Sequence, residues 1–392
     1  MYRDIVHKFL MAVVLMAAFC SCREDESTEQ TGRTVVAYMM CEGLDDDIKQ
    51  DIAEMVEGSN SLSPSDNMLV LVAYTNGKTQ LMKVWQGKKE ILKTYETDFE
   101  CSDPNNMQKI LNYCYSSYPA KSYGLIIGTH SDGWFVRSDT IPYKRTKNAI
   151  GKVIGTSRPI NINTLATVLQ SQPHLNFLVF DCCNMQCIEV AWQLRKYVDN
   201  IIASPAEIPI SGAPYKTMLP YLFNSTPSAA ADEYWNYYAQ RKDSVPISMI
   251  KTSELENLAT ITADMMHTFM GQYHNPDVPD MTGLIYYFLA NGQPIMYDMN
   301  NFMLRYLNAA DYEQWHTRFC KAVTVHHHCS TWETDCLSSE NFDSFTVNDK
   351  TCGCVSMYVP YNNMMPFGDN DFNRLIRQTS WYNAVRWSDY GW

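Results

Sequence analysis

The chain has 392 residues, 46% of them hydrophobic, enough for one large domain or two ordinary ones with a substantial core. Its 31 Lys and Arg against 43 Asp and Glu give a formal charge of −12, with no basic arm or stripe to neutralise phosphates. That balance excludes an ordinary nucleic-acid binder and leaves a cationic substrate compatible.

The opening segment MYRDIVHKFLMAVVLMAAFCSC has a head carrying Arg3 and Lys8, then an apolar run from Phe9 to Phe19. Crossing a bilayer takes roughly 20 apolar residues, so this run reads as a secretory signal over 1–21. Ser21 before Cys22 suits the lipoprotein cleavage pattern, which makes Cys22 the candidate lipidated first residue of the mature chain. Residues 22–33 are polar and read as a flexible tether. The acidic run REDESTEQTG resembles the surface-export signal of Bacteroides-type lipoproteins, which implies a bacterial envelope location, outer membrane and surface-exposed, held by the lipid. Such a compartment permits disulfides among the thirteen cysteines.

From Thr34 strands alternate with helices. TVVAYMM is a buried strand; DDIKQDIAEMVEG sets Ile48, Ile52, Met55 and Val56 on one helical face; NMLVLVAY is a second strand. TQLMKVWQGKKEILKTYE reads as a hairpin turning at Gln86 to Lys89. NNMQKILNYCYSSYP repeats Met107, Ile110, Leu111 and Cys114 at helical spacing, and YGLIIGTH, LNFLVFD and NIIAS give three further strands. Strands apolar on both faces and alternating with helices predict an α/β sandwich around a mainly parallel sheet, here over 34–225. Residues 226–392 read as a mixed extension packed on it: helices such as ADEYWNYYAQR and LATITADMMHTFMGQYH, a cysteine-rich region, and a closing helix in DFNRLIRQTSWYNAVRW. A long connection rich in Lys, Arg, Ser and Gly, residues 137–160, lies between the third and fourth parallel strands.

In an open parallel sheet the active crevice lies beyond the carboxyl ends of the strands, and two strands here end in reactive residues. YGLIIGTH ends at His130, and LNFLVF runs into Asp181, Cys182 and Cys183, with a helix expected from about Met185. Cys187 falls on that helix's buried stripe as a small hydrophobe. Adjacent Cys182 and Cys183 diverge, so one packs inward while the other reaches the crevice, and the two cannot comfortably share one tetrahedral zinc. A cysteine near a helix N-terminus, with a histidine on a nearby strand as base, has the mechanics of an activated nucleophile.

LIIGTHSDGW and FDCCNMQCIEVAWQL resemble the histidine and cysteine motifs of the clostripain family of cysteine peptidases, commonly HGGGW and DACLM. VVAYMMCEGLDD, YPAKSYGLII, ASPAEIPISGAPY and GCVSMYVP are similar to other family segments and occur in the family's order. The resemblance implies a caspase-like fold, an endopeptidase with the dyad Cys183 and His130, and a spacing between them close to the ~50 residues noted for caspases. Acyl-transfer chemistry then places the oxyanion on the backbone N–H groups of Ser131 and Cys183. Ser131 and Asp132 stand where the family has glycine, and Asn184 where it has leucine; Gly133 and Trp134 are kept. The competing expectation is a peptidase-like surface binding protein, inactive because the altered turn misplaces the oxyanion donors.

The resemblance further implies cleavage after arginine or lysine, with Asp181 in the S1 pocket. A cap on the following helix is the alternative role for Asp181. Glu207 in the next loop is a second S1 candidate. Self-cleavage downstream of the histidine would fall at Lys144, Arg145 or Lys147. Cys320, Cys329, Cys336, Cys352 and Cys354 with His326, His327 and His328 lack a standard zinc spacing, so disulfides are expected there and no metal is assigned. No cofactor is expected; clostripain is linked to calcium, but no acidic loop here specifies a calcium site.

Overall fold

The computed structural model describes residues 32–96, 99–134, 160–241, 245–270, 280–290, 293–333, 335–336, 344–360 and 371–390. Cys22 and the basic residues Lys144, Arg145 and Lys147 lie outside them.

Nine strands form one sheet among the described residues: β1 (Arg33–Met40), β2 (Asn67–Ala73), β3 (Thr79–Trp85), β4 (Lys88–Thr94), β5 (Ser122–Gly128), β6 (Leu175–Asp181), β7 (Val198–Ala203), β8 (Ile247–Lys251) and β9 (Val323–His327). Their order is β9-β8-β7-β6-β5-β1-β2-β3-β4. The five central strands, β7-β6-β5-β1-β2, are parallel, and antiparallel pairs flank them on both sides. The β3–β4 turn uses Gln86 and Gly87, both at positive φ (47° and 70°), the geometry that matches strand twist in a two-residue hairpin.

Alternation along the strands separates two cores. Val36, Tyr38, Leu125, Ile127, Leu178 and Phe180 face one side, and Val35, Ala37, Met39, Ile126, Phe177 and Val179 the other; all are buried. With both faces covered the strands read as continuous apolar runs. The first face carries α2 (Pro104–Ser117), α3 (Ile162–Gln170) and α4 (Ile188–Leu194). The second carries α1 (Asp45–Gly58), α5 (Tyr215–Asn224) and α6 (Pro227–Ala239). This is the expected α/β/α sandwich.

Residues beyond α6 extend the same sheet through β8 and β9 and cover its first face with α7 (Leu255–Met270), α8 (Met299–Tyr306) and α9 (Ala309–Ala322). The expected single closing helix is two short ones, α10 (Phe372–Ile376) and α11 (Ser380–Ala384). Thr379 breaks it: its hydroxyl donates to the Ile376 carbonyl at 2.7 Å and accepts from the Tyr382 N–H at 3.3 Å, capping a new helix. Trp381 of α11 then meets Trp192 of α4 edge-on, centroids 5.7 Å apart, which buttresses the helix after the cysteine turn.

Candidate active site

Strand register brings the two reactive ends together. Gly128 of β5 pairs with Asp181 of β6, so His130 and Cys183 each lie two residues past the same rung, on neighbouring strands and on the same side of the alternation. The chain order reverses here: β2 lies on one side of β1 and β5 on the other, which makes the strand ends a natural crevice. His130 and Cys183, both partly exposed, line one cleft of about 340 Å³ with Asp47, Asp51, Asp181 and Glu207.

The turn holding Cys183 is fixed from three directions. The Asn184 N–H donates to the Ala206 carbonyl at 2.9 Å, the Gln186 N–H to the Ser204 carbonyl at 2.9 Å, and the Gln186 side chain to the Ser248 carbonyl at 2.7 Å. These bonds hold residues 184–186 out of a helix, with Asn184 at φ 60°, a left-handed angle its short amide tolerates. α4 therefore begins at Ile188 rather than near Met185, with Cys187 at its N-cap. Two expectations are corrected by this. Cys183 does not sit at a helix N-terminus and gains nothing from a helix dipole. Asp181 is not the cap of that helix, because the helix begins too far downstream.

The histidine turn closes on the cysteine turn. The Ser131 hydroxyl donates to the Cys183 carbonyl, so the serine found in place of glycine ties the two loops. Gly133 keeps φ 73°, and a Cβ there would sit 2.8 Å from the Asn184 carbonyl oxygen and 2.9 Å from the Cys187 sulfur. Only glycine allows that approach.

The three neighbouring cysteines occupy different surroundings. The Cys182 thiol is fully buried and donates to the Ile127 carbonyl at 3.1 Å; burial pushes it up, and the Asp181 charge adds to the effect. The Cys187 thiol is also buried, donates to the Asn184 carbonyl at 2.8 Å, and is raised chiefly by burial. Cys183 alone of the three lines the cleft.

The floor of the cleft is acidic. Asp181 is buried and accepts from the Tyr215 hydroxyl at 2.6 Å, the Tyr234 hydroxyl at 3.4 Å and the Ala213 backbone N–H. Gly212, at φ 59°, lies against this carboxylate; a Cβ there would come within 2.8 Å of its Oδ2. Burial raises the Asp181 carboxyl above the usual range, outweighing its three donors. Glu207 is exposed at the rim. Among the described residues no Lys or Arg lines the cleft. Sequence reasoning missed Asp51, which is 5% exposed on α1 and pushed up to about 9 by burial first, then by Asp181, Glu54 and Asp47. Its signal was available: Asp51 falls within the apolar stripe Ile48, Ile52, Met55 of a helix that buries that face.

Glu189 lies buried behind the site, its Oε1 accepting the Tyr358 N–H at 2.8 Å while Oε2 has no partner among the described residues. Burial, its largest cause, pushes this carboxyl up to about 8. Between the ordinary glutamate range and pH 8 the unfolded chain therefore binds fewer protons than the folded one, and stability falls as pH rises. In thermal melts the Glu189→Gln variant will lose less Tm than wild type between pH 5 and 8; equal losses would remove Glu189 as the cause.

Among the C-terminal cysteines, Cys320, Cys352 and Cys354 are thiols, correcting the expected disulfides at these positions; the Cys352 and Cys354 sulfurs lie 3.6 Å apart, unbonded. His327 turns to Asp232 at 2.7 Å and stacks on Trp235. Among the described residues no three His, Cys, Asp or Glu converge as metal ligands, and no helix is long and apolar enough to cross a membrane.

A secreted C11 cysteine protease of Bacteroides thetaiotaomicron, solved with an irreversible peptide inhibitor, is similar to this chain at 27% identity and TM-score 0.76, covering 91% of this chain and 99% of the other. An inactive zymogen C11 protease of Parabacteroides distasonis shares the fold at TM-score 0.76 and 24% identity, covering 91% and 98%. Clostripain of Hathewaya histolytica is 26% identical over 216 residues, 46% of this chain and only 40% of clostripain's own length. The pattern that defines the clostripain family matches residues 37–392, which include both strand-end motifs and the extension beyond them, and the chain belongs to that family of cysteine peptidases.

Proposed function

We propose that the protein is a cysteine endopeptidase cleaving after arginine or lysine through a Cys183–His130 dyad. The observation that carries this reading is the cleft itself, in which the one accessible cysteine of its turn and a histidine share space with a buried, hydrogen-bonded carboxylate. The Cys183 thiol gives its proton to His130, and the sulfur attacks the scissile carbonyl. The resulting oxyanion is held by the N–H groups of Ser131 and Cys183. As the C–N bond breaks, the imidazolium proton passes to the leaving amine, leaving a thioester. Water, deprotonated by His130, hydrolyses the thioester and returns the thiol. Without a helix dipole beneath Cys183, ion pairing with His130 must supply its thiolate character.

The inactive binding-protein alternative depended on a misplaced turn; the Ser131 bond to the Cys183 carbonyl and the retained Gly133 geometry favour a catalytic turn instead. Turnover of an arginyl fluorogenic peptide by wild type, lost in Cys183→Ala, is the direct test, and no turnover by fully processed wild type would favour the binding protein.

Export and anchoring through a lipid on Cys22 belong to the same proposal, supported by the leader pattern and by the secreted relative. So does self-activation at Lys144, Arg145 or Lys147. N-terminal sequencing will find a new terminus after one of these residues in wild type and an intact chain in Cys183→Ala; the same cut in both would exclude self-processing.

A further inference from the structure

We propose that Asp51 of α1 is a second specificity residue of the S1 pocket, a carboxylate that receives the basic P1 group together with Asp181. The inference rests on the basic-P1 reading above and extends it to a residue outside the cysteine and histidine motifs.

Hydrogen-bonding capacity makes the argument. An ionised carboxylate offers about four acceptor positions, and Asp181 has three occupied, by Tyr215, Tyr234 and the Ala213 N–H. A guanidinium brings five donors and an ammonium three. Asp181 alone therefore leaves most donors of a buried cation unmatched, a costly arrangement. Asp51 lines the same cavity, is 95% removed from solvent by its 5% exposure, and makes no hydrogen bond or ion pair among the described residues. Ile48, Ile52 and Met55 on the same face anchor α1 in the core.

Asp51 faces like charges: Asp47 and Glu54 on its own helix and Asp181 from β6. Phenols of Tyr215 on α5 and of Tyr234 and Tyr238 on α6 surround the pair, and the Cys41 thiol lies at the end of β1. Rim residues Glu207 and His130 complete the wall. Two buried carboxyls among these groups do not both ionise in the empty pocket, so one proton is retained until a cation displaces it. Binding of a basic P1 group then releases a proton, and capture strengthens as pH rises toward 9.

The test compares peptides ending in Arg, Lys or the neutral isostere citrulline at P1, using wild type, Asp51→Asn and Asp51→Glu. All are nicked in trans by wild-type enzyme, so a self-processing defect does not enter. Iodoacetamide inactivation, which senses the dyad but not S1, reports an intact site. The expected result is at least a tenfold loss in the Arg-to-citrulline ratio of kcat/KM for Asp51→Asn, seen mainly in KM. Iodoacetamide rates stay within twofold, and Asp51→Glu recovers part of the ratio. The rise of kcat/KM for arginine relative to the iodoacetamide rate between pH 6 and 9 also flattens in Asp51→Asn. A ratio unchanged in Asp51→Asn while wild type discriminates overturns the assignment of Asp51 alone. A wild type indifferent to P1 charge overturns both it and the basic-P1 reading.

Discussion

Replacing Cys183 by alanine will lower kcat/KM on an arginyl peptide by at least about 10⁴-fold, and His130→Ala will fall by a similar order, because removing one member of a nucleophile and base pair costs nearly as much as removing both. The double variant will accordingly be little worse than either single one. The loss should come from chemistry and not from folding: Cys183 is partly exposed in a turn held by the bonds of Asn184 and Gln186, so truncation opens no core cavity. Thermal melts of both variants will stay close to wild type. Cys182→Ala serves as the internal comparison, since its buried thiol donates to Ile127 and never reaches the cleft. Substantial turnover by Cys183→Ala, or equal loss in Cys182→Ala without unfolding, would contradict the assigned nucleophile.

Asp181→Asn will reduce kcat/KM for arginyl and lysyl peptides by roughly 30- to 5,000-fold, since truncating one side of a buried, hydrogen-bonded charge pair costs about 2–5 kcal/mol. Asparagine keeps the shape and the acceptor oxygen that Tyr215 reaches, so the pocket survives while its charge does not. Burial already raises this carboxyl in the free protein, so folding stability will hold or rise slightly in the variant. Glu207→Gln should change the same rates by no more than about threefold, because an exposed rim charge is screened by water. Rate constants on matched Arg, Lys and citrulline substrates measure both, and a larger effect at Glu207 than at Asp181 would reverse the roles given to floor and rim.

The sandwich was legible because its central strands are apolar on both faces and because helices such as α2 carry clear stripes at helical spacing. His130 and Cys183 stood out because each ends such a strand; sequence could not show that the two ends share a rung, which depends on the β5–β6 register. The start of α4 at Ile188 depends on contacts distant in sequence. Met185 to Cys187 look like helix in isolation, yet Gln186 is claimed by Ser204 and Ser248, partners distant in sequence. Asp51 was hidden in plain sight. An acid inside an apolar stripe looks like a local irregularity until the opposite wall, Asp181, is known to face the same cavity. The closing helix failed at Thr379, whose side chain competes locally with the helical ladder.

The central claim is that one cleft joins a Cys183 nucleophile to an acidic S1 floor. It is tested most directly by treating the protein with a peptidyl chloromethyl ketone bearing arginine at P1 and mapping the adduct by mass spectrometry, beside the citrulline analogue. One adduct is expected, on Cys183, formed far faster with arginine than with citrulline and suppressed in both His130→Ala and Asp181→Asn. Labelling of exposed Cys320 at a comparable rate, or no preference for arginine, would contradict it.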